Sequence, residues 1–320
     1  HSAGIMSYRQ KLAGYYAKNN INVTADEIII TCGGSEALQF AFTVCLNPGE
    51  EILIPEPYYT NYNTFANICN AVIKTIPSSI KDGFALPPIE EFEKAITPKT
   101  RAIMICNPNN PTGYLYSKEE LQKVAEIVKK HDLFLFADEV YREFCYDGHE
   151  HFSVMQLEGI EQNTILLDSV SKRYSACGAR IGCLITKNKE VFGAAMRMAQ
   201  ARLSPPTFGQ IFSEAAIDTP QEYFDAVIKE YVTRRDVLVE GINKIPGCFC
   251  PNPKGAFYLF VKSPVANEKE FCEAGKKYNI LMVPGSSFAC PGYVRLAYCV
   301  SYETIMNSLP KFKELAKENF

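Results

Sequence analysis

Short apolar runs alternate with stretches of helical period along most of the chain. Residues 28–32, 52–54, 72–76, 101–106, 133–137, 165–168 and 181–185 each read as a strand. Helical periods fall over 7–19, 35–45 and 117 to about 131. Asn47-Pro48-Gly49 ends the second of these, and Ser117-x-x-Glu120 is a capping box that opens the third. Strands alternating with helices in this way predict an α/β fold, a mostly parallel seven-stranded sheet with helices on both faces. Ligands of such sheets bind at the carboxyl ends of the strands.

After Pro220 the pattern changes. Residues 220–245 read as one long helix, a natural bridge between two units. Residues 256–261 and 294–299 then read as strands. Residues 311–318 read as a closing helix with Pro310 suited to its first turn. The expectation is a large domain over 1–235 and a smaller α+β C-terminal domain over 236–320.

Composition narrows the classes of function. The chain has 320 residues, a net charge of −3 and a sequence pI of 5.9, with no long Lys/Arg run. Nucleic acid and membrane surfaces therefore gain no electrostatic support as partners. No apolar stretch approaches the roughly 20 residues needed to span a bilayer. The twelve cysteines sit mostly inside apolar stretches, where a free cysteine acts as a small buried hydrophobe. That predicts a cytoplasmic protein without disulfides. His149-x-His151 has no Cys or carboxylate set at ligand spacing, so no metal is expected.

Four segments place candidate chemistry at the ends of predicted strands. Ser169-Val170-Ser171-Lys172 puts a lysine among small hydroxyl residues, and Arg180 and Gly182 follow. Fixed positive charge, hydroxyls and small residues are what a phosphate site requires. Cys32-Gly33-Gly34-Ser35-Glu36-Ala37 joins a strand to a helix start, where free N–H groups and the helix dipole favour an anion, or where Ser35 simply caps the helix. Phe136-Ala137-Asp138-Glu139-Val140-Tyr141 ends an apolar strand in a carboxylate that needs a charged or strongly hydrogen-bonding partner. The segment from Asn107 through Pro108, Asn109, Asn110, Pro111 and Thr112 to Gly113 follows a strand and precedes a capped helix.

In order and spacing these segments, together with Pro57-Tyr58-Tyr59 and Tyr293-Val294-Arg295-Leu296, closely resemble the fold-type I pyridoxal-phosphate (PLP) enzymes of the class I aminotransferase family. The resemblance covers nearly the whole chain. It implies that Lys172 holds PLP as a Schiff base and moves the proton, and that Asp138 partners the pyridinium nitrogen. It implies that Tyr141 and Asn110 bond the ring hydroxyl oxygen, and that Tyr59 stacks on the ring. Gly34, Ser35, Ser169 and Arg180 correspond to the phosphate cradle, with Glu36 beside them among the cofactor-binding residues. Arg295, with Asn110, corresponds to the clamp for the substrate α-carboxylate.

The activity so implied moves an amino group from an L-amino acid, aspartate or a related acid among the candidates, to a 2-oxo acid by a ping-pong route in a homodimer. Arg202 is a candidate second cation for a dicarboxylic substrate, or else a surface arginine at a helix end. A PLP-dependent C–S β-lyase and a non-catalytic PLP-sensing domain share most of these motifs and stay open. The chain begins at His1, with a helical pattern from Ser7, and the resemblance predicts a preceding segment that closes the substrate side. Without it, good cofactor contacts and poor catalysis are expected.

Overall fold

The computed structural model describes residues 1–318. Seven strands form one sheet: β1 (Ile28–Thr31), β2 (Glu51–Pro55), β3 (Val72–Ile76), β4 (Thr100–Cys106), β5 (Phe134–Asp138), β6 (Thr164–Ser169) and β7 (Gly182–Ile185). Their spatial order is β1-β7-β6-β5-β4-β2-β3. Neighbours pair in parallel except at β7, which runs antiparallel to both β1 and β6. Each of the seven strands predicted for this sheet is present, with ends displaced by at most one residue.

Strand alternation sorts the apolar residues onto two faces. Ile52, Met104, Phe136 and Leu167 face one core, covered by α2 (Gly34–Cys45), α3 (Tyr62–Ile68) and α7 (Lys189–Arg202). Leu53, Ile103 and Leu135 face the other, beneath α4 (Ile89–Ala95) and α5 (Lys118–His131). At the far end of that face, Ile28, Ile30, Leu166 and Ile185 are covered by Tyr8, Leu12 and Tyr16 of α1 (Met6–Lys18). The Ser117 box forms as read: Ser117 Oγ accepts from Glu120 N–H, and Glu120 accepts from Ser117 N–H. A short helix, α6 (Val170–Arg173), follows β6, and α8 (Thr207–Ala216) follows α7.

The long helix α9 (Gln221–Asn243) runs through residue 235. Arg235 within it is buried and grips Asp147 with two nitrogens, at 2.7 and 2.9 Å. Beyond it, β8 (Tyr258–Lys262), β9 (Val283–Pro284) and β10 (Tyr293–Ala297) form a small antiparallel sheet in the order β8-β10-β9, with α10 (Glu268–Gly275) and α11 (Tyr302–Glu318) beside it. Leu259, Val261 and Val294 pack with Leu238, Phe271 and Phe312, and the same core takes in Tyr141, Phe144 and Tyr146 from the segment after β5.

The closing helix departs from the sequence reading. It starts at Tyr302, not Lys311, and Pro310 lies inside it. Ser301 Oγ accepts from Thr304 N–H and starts the helix early, and Ile305 anchors its first turns in the core. Pro310 is exposed, so the carbonyl it leaves without a helical partner can be solvated. The helices α3, α4, α6, α7, α8 and α10 were not anticipated; α3 and α4 have seven residues each, too few to show a periodic apolar stripe.

Candidate active site

The carboxyl ends of β1, β4, β5 and β6 converge on a cavity of ≈ 380 Å³. Ten of the residues read from sequence line it. From the strand ends come Gly34, Ser35, Asn110, Asp138, Tyr141, Ser169, Lys172 and Arg180. Tyr59 enters from the loop after β2, and Arg295 from β10 of the small sheet.

Asp138 closes β5 and is buried. Burial pushes its carboxyl up to about 6, against the pull of the Tyr62 hydroxyl, the Val140 N–H and the charge of Lys172. Tyr62 donates to Oδ2 at 2.9 Å, and Oδ1 has one long contact, 3.4 Å from Val140 N. No cation touches this carboxylate among the described residues. Lys172, on α6, likewise makes no ion pair or hydrogen bond there.

At the other end of the cavity, Gly33 precedes α2 and offers its N-terminus no side-chain cap. The Gly33 φ is +78°, and a Cβ there would lie 2.3 Å from Arg180 Nη2. A Cβ on Gly182 would lie 2.5 Å from the Gly33 carbonyl carbon. Glycine at both positions lets the arginine and the start of β7 close on the turn. Arg180 is exposed, with its guanidinium donating to the Cys177 carbonyl (2.9 Å). Free N–H groups, the Ser169 hydroxyl and Arg180 together suit a phosphate.

Arg295 Nη1 donates to Asn110 Oδ1 (3.0 Å), and Asn110 Nδ2 donates to the Tyr141 hydroxyl oxygen (3.4 Å). Tyr258, Cys106, Val140 and Ser171 also line the cavity and were not singled out in the sequence.

Glu36 does not line the cavity. Its carboxylate accepts from Cys32 N–H (2.8 Å) and faces Arg202 (3.5 Å). It closes the turn before α2, where an anion would repel a phosphate less than one inside the cradle. Arg202 also turns away, donating to the carbonyls of Ser2 (3.1 Å) and Ile30 (3.3 Å). His151 is buried 3.6 Å from Glu139, and burial pushes its imidazole down to about 3, so it is neutral. Among the described residues no three His, Cys, Asp or Glu gather as a metal set. All twelve cysteines are free thiols, and no described helix is long and apolar enough to cross a membrane.

Behind the cavity lies a second, charged layer. Glu139 and Arg142 alternate with Asp138 and Tyr141, while Asp168 and Arg173 flank Ser169 and Lys172. These four back residues are all buried. Arg142 pairs with Glu139 (2.9 Å), and Arg173 pairs with Asp168 and with Glu143 (2.7 Å). Tyr16 of α1 donates to Asp168 (2.6 Å). Burial alone would raise Asp168, but the two guanidiniums outweigh it and hold the carboxyl below its usual range.

A family model described as "Aminotransferase class I and II" matches residues 1–310. The chain belongs to that family. This aminotransferase is 33% identical to the aspartate/prephenate aminotransferase of Thermus thermophilus, over 97% of this chain and 81% of the relative. It is 32% identical to aromatic-amino-acid aminotransferase 2 of Thermococcus litoralis, over 98% of this chain and 83% of the relative. The crystal structure of an aromatic aminotransferase from Pyrococcus horikoshii OT3 superposes with a TM-score of 0.94 at 29% identity, covering 99% of this chain and 87% of that one. Relatives of this kind favour transamination over C–S elimination or a sensing role.

Proposed function

We propose that this aminotransferase binds pyridoxal phosphate at Lys172 and moves an amino group from an L-amino acid to a 2-oxo acid in two half-reactions. One observation carries the reading: a buried Asp138 with no cation in contact, beside a lysine with no partner. A protonated ring nitrogen is the kind of partner such a carboxylate needs. The α2 N-terminus, Ser35, Ser169 and Arg180 would hold the phosphate. Tyr141 and Asn110 would bond the ring hydroxyl oxygen, and Tyr59 would lie against the ring. When bound, this cofactor supplies an electron sink for the charge left by a broken Cα–H bond.

The chain's own groups do the rest. Arg295 takes the substrate α-carboxylate as a bidentate pair and sets which Cα bond faces the reacting plane. Lys172 Nζ takes the proton from the substrate Cα and returns it later. Release of one keto acid before the second binds gives ping-pong kinetics.

Aspartate and the aromatic amino acids are the first donors to test, since relatives are named for them. Arg202 is already committed to Glu36 and to backbone carbonyls, so a second carboxylate would need another cation. Exposed Leu203, Phe208, Ile211 and Phe212 support a homodimer. Free thiols fit a reducing, cytoplasmic setting. A division into domains near residue 235 is supported by the second sheet, β8-β10-β9, which pairs with no strand of the first.

The test is borohydride reduction of the PLP-loaded protein followed by peptide mapping. Label on Lys172, lost in Lys172→Ala along with transamination, is expected. Label elsewhere overturns the assignment, and pyruvate plus ammonia formed without a keto acid overturns the reaction.

A further inference from the structure

Tyr258 lines the cavity but has no part in the reaction proposed for it. It stands at the start of β8 and is nearly buried. Its hydroxyl lies 3.0 Å from the Tyr141 hydroxyl. Its ring lies under the Arg295 guanidinium, with Cζ 4.6 Å from the centroid. Strand register explains the stack: Arg295 on β10 sits opposite Phe260 on β8, so Tyr258, two residues earlier, is a diagonal neighbour on the same face.

With Asn110 these contacts close a ring of four residues. Arg295 donates to Asn110, Asn110 donates to Tyr141, Tyr141 meets Tyr258, and Tyr258 carries Arg295 on its face. Two strands of the small sheet and two loops of the large one contribute to it.

We infer that Tyr258 is a positioning residue that donates its hydroxyl hydrogen to Tyr141 and so turns the Tyr141 hydrogen into the cavity. Each phenol has one hydrogen, and in the pair one must donate. The cation over Tyr258 makes its hydroxyl the stronger donor. The oxygen of Tyr141 already accepts from Asn110, and accepting from Tyr258 as well leaves its own hydrogen free. The charge of Arg295 is thereby sensed at Tyr141. A carboxylate on Arg295 weakens the Tyr258 donation, and then that of Tyr141.

This inference rests on the proposed roles of Lys172, Tyr141 and Arg295, and the test separates it from them. The holoenzyme is titrated through the pH midpoint of its visible band, with and without saturating propionate. Tyr258→Phe keeps the ring under Arg295 and removes only the hydroxyl. Its propionate-free midpoint is expected to rise by about half a pH unit or more, a roughly threefold change. Its upward shift on adding propionate is expected to shrink to less than half the wild-type shift. If Tyr258→Phe titrates as wild type in both conditions while Tyr141→Phe raises the midpoint, the role of Tyr258 is overturned and the cofactor site stands. If Tyr141→Phe and Lys172→Ala both leave the band as it was, the site reading fails and this inference with it.

Discussion

Tyr62 donates to Asp138 Oδ2 over 2.9 Å from α3, on the far side of β4 in sequence and 76 residues away. Among the described residues this is the one side-chain hydrogen bond to Asp138, whose carboxylate burial pushes toward neutrality. Removing it in Tyr62→Phe raises the Asp138 pKa further and weakens its pairing with a cationic ring. PLP affinity is expected to fall roughly 3- to 10-fold, about 1 kcal/mol. Equilibrium titration of cofactor-free protein measures it, and unchanged affinity would show that Tyr62 is only packing.

Asp138→Asn is expected to cost more turnover than Tyr141→Phe. The first removes a charge partner in a buried site, worth about 3 kcal/mol or ~100-fold. The second removes one hydrogen bond of about 1 kcal/mol, less than ~10-fold. Single-turnover rates with the best amino donor decide the order. Equal, small losses would count against an ion pair at Asp138.

Stability of the cofactor-free protein carries the same signature with a definite sign. The Asp138 pKa is about 6 in the folded protein, against 3.8 for an ordinary solvated aspartate such as the unfolded chain presents. Folding therefore favours the protonated form. The contribution is fully present below pH ~4 and is lost as pH rises through about 6. At pH 8 Asp138→Asn should thus stabilise the cofactor-free protein relative to wild type, by up to about 3 kcal/mol. At pH 4 that advantage should vanish. Thermal melts at the two pH values test this, and an advantage independent of pH would assign it to packing.

The strands were legible because each is an apolar run bounded by turn formers, and the site because polar residues break those runs at one end. Asp138, Lys172 and Asn110 stand out for that reason. Tyr62 and Tyr258 do not: Tyr258 lies in an apolar run and reads as core, Tyr62 lies between two asparagines in a stretch that reads as loop, and both are buried. Their hydroxyls matter through contacts across the fold that spacing does not encode. The direction of the Glu36 side chain was not legible, because membership of a motif does not say which way a side chain turns in the first turn of a helix. Pro310 misled because proline is usual at a helix start, and only the exposed position of this one shows why the interior tolerates it.

The charged layer behind the cavity is expected to be structural. Arg173→Met leaves Glu143 without its guanidinium and Asp168 with only the more distant Arg142, and should destabilise the protein by about 3–5 kcal/mol. Urea denaturation measures this. A loss below ~1 kcal/mol would mean that Arg142 alone neutralises the site.

Pro310→Ala should stabilise the protein. It restores a helical hydrogen bond to the Met306 carbonyl at an exposed position, for a gain of about 1–3 kcal/mol. A lowered melting temperature would mean that the helix depends on a bend at that point.

The alternation of cavity-facing and back-facing residues also divides the molecule for anyone seeking a new amino donor. From 138 to 142 and from 168 to 173, each accepted change must satisfy the cavity on one side and a buried ion cluster on the other. Sequence freedom there is narrow. Tyr258 and Arg295 come from the separate small sheet, whose core also takes in Tyr141, Phe144 and Tyr146. Libraries placed on the rest of β8 and β10 and on the turns that join them, with Tyr258 and Arg295 kept, can reshape selectivity while the strand ends that carry Asp138 and Lys172 stay fixed.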